Sequence, residues 1–287
     1  QSYRPIHLIV VDNNSSDGSF AAVSKWGQAH SGDGFRISVL KEKRQGAAAA
    51  RNKGLEAVSS KYLMFMDSDD TMRPDLAQEA MWCLRNNPDA KLVFWKALVH
   101  DPDGGSFSLK YFTSNLLANH ILHSILSTWR YAVDRDFFDK AGAWDMELGG
   151  WDDWELGIRL LALQPETVPL QKTLVDVYLQ EDSITGTDFH SKRGQWEKAI
   201  TRAEDDIRRS HLPDKQFYLN LLDYRRIILA AHYRHEKKRD MAEELLYDTL
   251  GKFNGSRLQR LVLYACYRYT ARGGRGAYIF ANPFLRR

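Results

Sequence analysis

Tyr62-Leu63-Met64-Phe65-Met66-Asp67-Ser68-Asp69-Asp70 sets five apolar residues directly against three carboxylates. An apolar run this short, bounded by polar signals, reads as a strand buried on both faces. The carboxylates then lie at the strand's C-terminal end, the edge of an open α/β sheet where ligands bind. Acids packed this closely repel one another. A hard divalent cation with oxygen ligands, Mg²⁺ or Mn²⁺ holding substrate phosphates, relieves that repulsion. The competing reading of the same residues is a helix N-terminal cap ahead of Pro74.

Upstream, residues 5–11 contain Ile-His-Leu-Ile-Val-Val, a second buried strand, and it too ends in an acid, Asp12. The loop Asp12 to Ser19 is dense in turn and capping residues, with Ser16 or Asp17 as candidate caps for a helix reaching about Trp26. Residues 35–40 form a third strand candidate, residues 41–46 a basic loop, and residues 47–58 a helix whose first amides could receive an anion beside Lys43 and Arg44. Strand and helix alternate at a spacing that predicts a parallel, helix-covered sheet.

Downstream, Pro74 opens a helix to about Arg85, and residues 92–99 form a strand that hairpins through Asp101-Pro102-Asp103-Gly104-Gly105. A second acidic cluster follows in Gly149-Gly150-Trp151-Asp152-Asp153-Trp154-Glu155, opening a helix. Acids at a helix start complement its dipole, so capping alone accounts for Asp152 and Asp153. The two Gly and two Trp beside them suit a ligand instead: Gly admits close approach, and Trp offers a sugar an apolar face. Residues 167–179 read as a final strand, and residues 181–190, with Gly186, as a polar flap. From about Ser191 the pattern turns helical, over 195–209, 214–235, 240–252 and 256–271, with an irregular tail after it.

The chain of 287 residues is 44% apolar, enough for a sizeable core. Cys83 and Cys266 stand far apart and outside metal-ligand spacing, which predicts reduced, buried thiols and a cytoplasmic setting. No apolar run approaches the roughly 18 residues of a membrane span. The net charge of +3 divides unevenly: residues 251–287 hold eight Lys and Arg and no acid, leaving −5 for residues 1–250. An acidic body without nucleic-acid motifs argues against a nucleic-acid partner. The basic segment is either a solvated helix face or a peripheral contact with an anionic membrane.

Four pieces in one order now matter: Ile9 to Ser19, then Gly46 with Ala50 to Leu55, then Tyr62 to Asp70, then Gly149 to Leu160. Together they resemble the inverting glycosyltransferases of family 2 over about residues 1–185. The resemblance implies a GT-A (Rossmann-like) fold, a mixed and mainly parallel sheet with helices on both faces, across residues 1–190. Residues 191–287 would be an all-α appendage. It also implies a first strand and loop ahead of Gln1, in mid-sheet; without them the chain would be a truncated enzyme or would borrow a strand.

The implied donor is a nucleotide-diphosphate sugar, usually a UDP-sugar. Asp12, Asn14, Arg51, Asp67 and Ser68 map to its pocket. Asp67 and Asp69 form the DXD motif that holds Mg²⁺ or Mn²⁺, with Asp69 the direct ligand. Asp153 matches the base that deprotonates the acceptor hydroxyl, and Asp152 stands where the family carries Glu. Trp151, Trp154 and His190 are candidates for the acceptor side or the flap. The implied acceptor is a glycan or lipid-linked hydroxyl in bacterial surface-polysaccharide assembly, in the cytoplasm or at the inner face of its membrane. The rival readings are a nucleotidyltransferase of related fold and a non-catalytic scaffold.

Overall fold

The computed structural model describes residues 1–179 and 189–285. Its chain divides into two compact units. Residues 1–111, 126–156 and 165–181 make the first; residues 112–125, 157–164 and 182–287 make the second.

The first unit alternates strand and helix as the apolar spacing predicts. Its elements are β1 (Ile6–Asp12), α1 (Ser19–His30), β2 (Phe35–Lys41), α2 (Ala47–Glu56), β3 (Tyr62–Met64), β4 (Thr71–Met72), α3 (Leu76–Asn86), β5 (Leu92–His100) and β6 (Ser106–Ser108). After α4 (Leu116–His123), which belongs to the second unit, come β7 (Tyr131–Asp134), α5 (Arg135–Ala141), α6 (Asp152–Ala162), whose residues from Gly157 on are assigned to the second unit, and β8 (Thr167–Tyr178). β1 and β2 pair in parallel as a sheet of their own. The other six strands run β3-β7-β5-β8-β4, with β6 on β5.

The mixed character is as expected: among the described residues the two longest ladders, β1/β2 and β5/β8, are parallel, and the shorter ones are antiparallel. Three finer expectations are corrected. β3 stops at Met64, and of its three residues only Leu63 is buried, because β7 is its one sheet neighbour. β1 is apolar yet half-buried throughout, since it too pairs along one edge. The residue capping α1 is Gly18 in the left-handed region; Asp17 instead accepts from the Ser19 amide and hydroxyl.

The core lies where α3 packs on β5 and β8. Leu76, Ala80, Cys83 and Leu84 meet Val93, Trp95, Leu174 and Val175. A charge is buried beside it. Arg130, 2% exposed, donates from Nε to the Trp95 carbonyl (2.9 Å) and from Nη2 to the Lys110 carbonyl (2.7 Å). Burial pulls its pKa down to about 10. Arg130→Met removes both donors and strands two carbonyls, so it is expected to cost about 3 kcal/mol, read by urea denaturation.

The second unit is helical. α7 (Arg193–Arg209) buries Trp196, Ala199, Ile200, Ala203 and Ile207, a spacing that sets one face inward. That face packs on α8 (Lys215–His235), which α9 (Arg239–Lys252) and α10 (Arg257–Thr270) also flank. The irregular tail is corrected here: residues after Gly276 form α11 (Tyr278–Leu285). Of the flap expected at residues 181–190, residues 181–188 lie outside the described residues.

Candidate active site

α2 lies close on β1. A Cβ on Gly54 would meet the Val11 side chain at 3.3 Å, so a larger residue would push the helix away. The loops ahead of the two helices are tied by Asn13. Its amide donates to the carbonyls of Glu42 (3.1 Å) and Arg44 (2.7 Å), and its Oδ1 accepts from the Gly46 amide at 2.7 Å. Asp12 is thereby held beside the start of α2, its Oδ2 accepting from the Ser15 amide at 3.4 Å. Asn14 is exposed at φ 63°.

One turn into α2, Arg51 reaches two acids. Nη2 donates to Asp67 Oδ1 at 2.7 Å, and Nη1 to Asp152 Oδ2 at 3.0 Å. Its guanidinium also lies 5.7 Å from the Trp144 ring centroid. The three side chains are only 16, 33 and 18% exposed, so these charges interact at a lower dielectric than water provides. Asn52 fixes the chain leading to α6. Its amide donates to the Trp144 carbonyl at 2.9 Å, and its Oδ1 accepts from the Trp144 amide at 3.0 Å. The loop after β3 and the start of α6 therefore converge on α2.

The two α6 aspartates differ. Asp152 is committed to Arg51, although burial outweighs that cation and raises its pKa. Asp153 accepts from the Trp154 amide at 2.7 Å. Burial, and then the Asp152 charge beside it, push its carboxyl up to about 6. Trp151 precedes the helix at φ 57° and keeps partial exposure. Trp154 is 1% exposed, which corrects its reading as a sugar platform: on the first turn of α6 its ring turns into the core. His190 belongs to the second unit, where its Nδ1–H donates to Glu236 Oε2 at 3.0 Å. The amides of Phe189 and His190 donate to the same carboxylate, a local latch on the end of α8.

Whether the first acidic loop fits a divalent cation depends on its donors. Ser68 and Asp69 are exposed, and Asp69 pairs with no described residue. Asp67 gives one oxygen to Arg51. Asp70 accepts from the Tyr178 amide, and burial, with Asp69 and Asp67 nearby, raises it to about 6. Among the described residues no three His, Cys, Asp or Glu side chains form a metal cage. The donors suit a cation held by one or two carboxylates and completed by substrate phosphates. Beside this loop stands a cluster that sequence reasoning missed. Arg73 binds Asp176 through two nitrogens (2.9 and 3.3 Å), and His100 reaches the same carboxylate at 2.9 Å while stacking on Tyr178.

Residues 1–129 match the glycosyl transferase family 2 model. An uncharacterized glycosyltransferase of Haemophilus influenzae is 23% identical over 181 residues, 60% of this chain and 58% of that protein. The match thus spans less than two thirds of that relative. The crystal structure of S. aureus TarS 1–349 in complex with UDP-GlcNAc superposes with a TM-score of 0.70 at 15% identity, covering 98% of this chain and 81% of the other. The mannosyltransferase PcManGT from Pyrobaculum calidifontis, in complex with GDP-Man and Mn²⁺, gives 0.57 at 17% identity, covering 100% and 78%. The fold is that of the GT-A glycosyltransferases. Over residues 1–129, a little under half of its length, this chain is similar to glycosyltransferase family 2.

Proposed function

We propose that this protein is an inverting, metal-assisted transferase that moves a sugar from a UDP-sugar to a hydroxyl of a glycan or lipid-linked acceptor. The observation that carries the reading is the Arg51 bridge. One guanidinium gathers a donor-side acid, Asp67, and the acid pair at α6 into a single half-buried site. Two relatives in fold hold nucleotide sugars, as their complexes name.

In this mechanism Asp12 accepts hydrogen bonds from the base or ribose, with Asn14 and Ser68 lining the same pocket. Asp69, with Asp67, would hold a divalent cation, which would supply charge neutralisation for the departing diphosphate. Asp153 takes the proton of the acceptor hydroxyl as that oxygen bonds to the anomeric carbon. The bond from that carbon to the phosphate oxygen breaks on the opposite face, so the configuration inverts. Asp153 suits the base better than Asp152 because Arg51 already engages Asp152. A carboxyl raised to about 6 is still ionised at neutral pH and holds a proton better than an ordinary aspartate. Trp151 is the partly exposed ring placed to meet an acceptor sugar.

Calorimetric titration of UDP with and without Mn²⁺ tests the donor reading. The expected result is metal-dependent binding that Asp69→Ala weakens by about tenfold or more. UDP binding that ignores both the metal and the substitution would remove Asp69 from the mechanism. Absence of UDP binding, with hydrolysis of another nucleotide sugar, would reassign the donor.

A further inference from the structure

Arginines and large apolar side chains share one outer face of the second unit. α10 begins with a capping box: Ser256 Oγ accepts from the Gln259 amide at 3.2 Å, and Gln259 Oε1 from the Ser256 amide at 2.7 Å. The helix buries Leu263, Cys266, Tyr267 and Thr270. Its opposite stripe recurs every three or four residues as Leu258, Leu261, Ala265, Tyr269 and Arg272, with Arg257 and Arg268 at its margin. Leu258 is 59% and Leu261 66% exposed.

Gly273 and Gly276, at φ 88° and 83°, turn the chain into α11. That turn is fixed. The Tyr269 hydroxyl donates to the Arg275 carbonyl at 3.1 Å, the Cys266 thiol to the Ala277 carbonyl, and Ala277 and Ala281 are buried. α11 leaves Ile279 and Phe280 61 and 62% exposed, with the Phe280 ring edge-on to Tyr269. Arg257, Arg260, Arg268, Arg272 and Arg275 form no ion pair with a described acid. Arg260 donates to the Phe253 carbonyl and Arg268 to the Tyr264 hydroxyl, so their charge stays uncompensated.

We propose that this α10–α11 face docks the protein on an anionic lipid surface. Protruding Leu, Ile and Phe ringed by Arg suit a bilayer boundary, where apolar groups enter the acyl region and guanidiniums meet phosphate. A second copy fits poorly, because a two-fold contact would bring the same cations together. A soluble polyanion would engage the arginines and leave the four large apolar side chains in water. No helix among the described residues is long and apolar enough to cross a membrane. The surface would hold the enzyme where lipid-linked acceptors reside, but its existence does not depend on the transferase reading.

Co-sedimentation of the whole chain with vesicles tests it. Neutral phosphatidylcholine vesicles are compared with vesicles containing one-third phosphatidylglycerol. The expected result is binding to the anionic vesicles alone, weakened about tenfold or more when salt is raised to roughly 0.5 M. The pair Leu261→Ser and Phe280→Ser keeps the charge and is expected to weaken binding about tenfold. Arg257→Gln with Arg272→Gln should do likewise, and UDP titration should be unchanged in both. Binding that depends on the arginines but ignores the serine pair would indicate a polyanion site and overturn the proposal. So would failure to bind anionic vesicles, or a dimer in solution that the serine pair dissociates.

Discussion

Asp153→Asn is expected to lower sugar transfer about 10³-fold while leaving UDP binding intact, because in the proposed mechanism it removes the proton acceptor and nothing that touches the nucleotide. The amide is isosteric, and its oxygen can still accept from the Trp154 amide, so the geometry of α6 persists. The same change should stabilise the fold. Burial raises the Asp153 carboxyl from 3.8 to about 6, so the folded protein binds this proton more tightly than the unfolded chain does. The sign is then set: this carboxyl costs stability as pH rises from about 4 through about 6, and the full cost is present at neutral pH. Two pH units correspond to about 3 kcal/mol at most. Thermal melts should place the variant above the parent at pH 7, with the gap closing toward pH 4. Transfer by the parent should fall about tenfold per pH unit below 6, as the base becomes protonated. If Asn at 153 left transfer intact and the profile flat, the base would be sought at Asp152.

The strands and their acidic ends were legible in sequence because an apolar run that stops at carboxylates carries both signals in adjacent residues. Asp12 and Asp67 could be singled out on that basis, and Asp153 only through the family resemblance of Gly149 to Leu160. Pairing was not legible, because period and propensity do not say which edge a strand joins. The antiparallel places of β3 and β7 therefore appear only in the fold. The Asn13 and Asn52 brackets were hidden for a related reason: each side chain serves backbone groups 29 or more residues away. Trp151 and Trp154 looked equivalent, and the difference lies in where the helix starts. Trp151 precedes α6 in a left-handed conformation, while Trp154 follows on the first turn and points inward. The tail looked irregular because Gly273, Gly274, Gly276 and Pro283 all disfavour helix. Burial of Ala277 and Ala281 against the unit overrides that preference.

Arg51→Met should destabilise the protein by about 3 to 5 kcal/mol at neutral pH, the cost of leaving buried carboxylates without their cation. Asp67 and Asp152 each lose a charged hydrogen bond, and Asp153 keeps a like charge beside it with nothing to offset it. Loss of packing over Trp144 would also destabilise, but that cost does not vary with pH. The charge cost does vary. Without the arginine, the α6 carboxyls rise further above their unfolded values, so the deficit should shrink as pH falls and the acids take up protons. Melts of parent and variant from pH 8 to pH 5 separate the two causes. Adding Asp152→Asn to the variant removes one of the acids and should recover part of the loss, a coupling that independent sites would not show. Arg51→Lys is the informative intermediate: one ammonium lacks the planar fork that spans both acids, so it should rescue stability partially and transfer little. Transfer by Arg51→Met should fall by about 10² or more, because the guanidinium holds the donor-side loop and the base-side helix in register. A variant that lost stability yet kept full transfer would reduce Arg51 to a structural ion pair and separate the two acidic loops functionally.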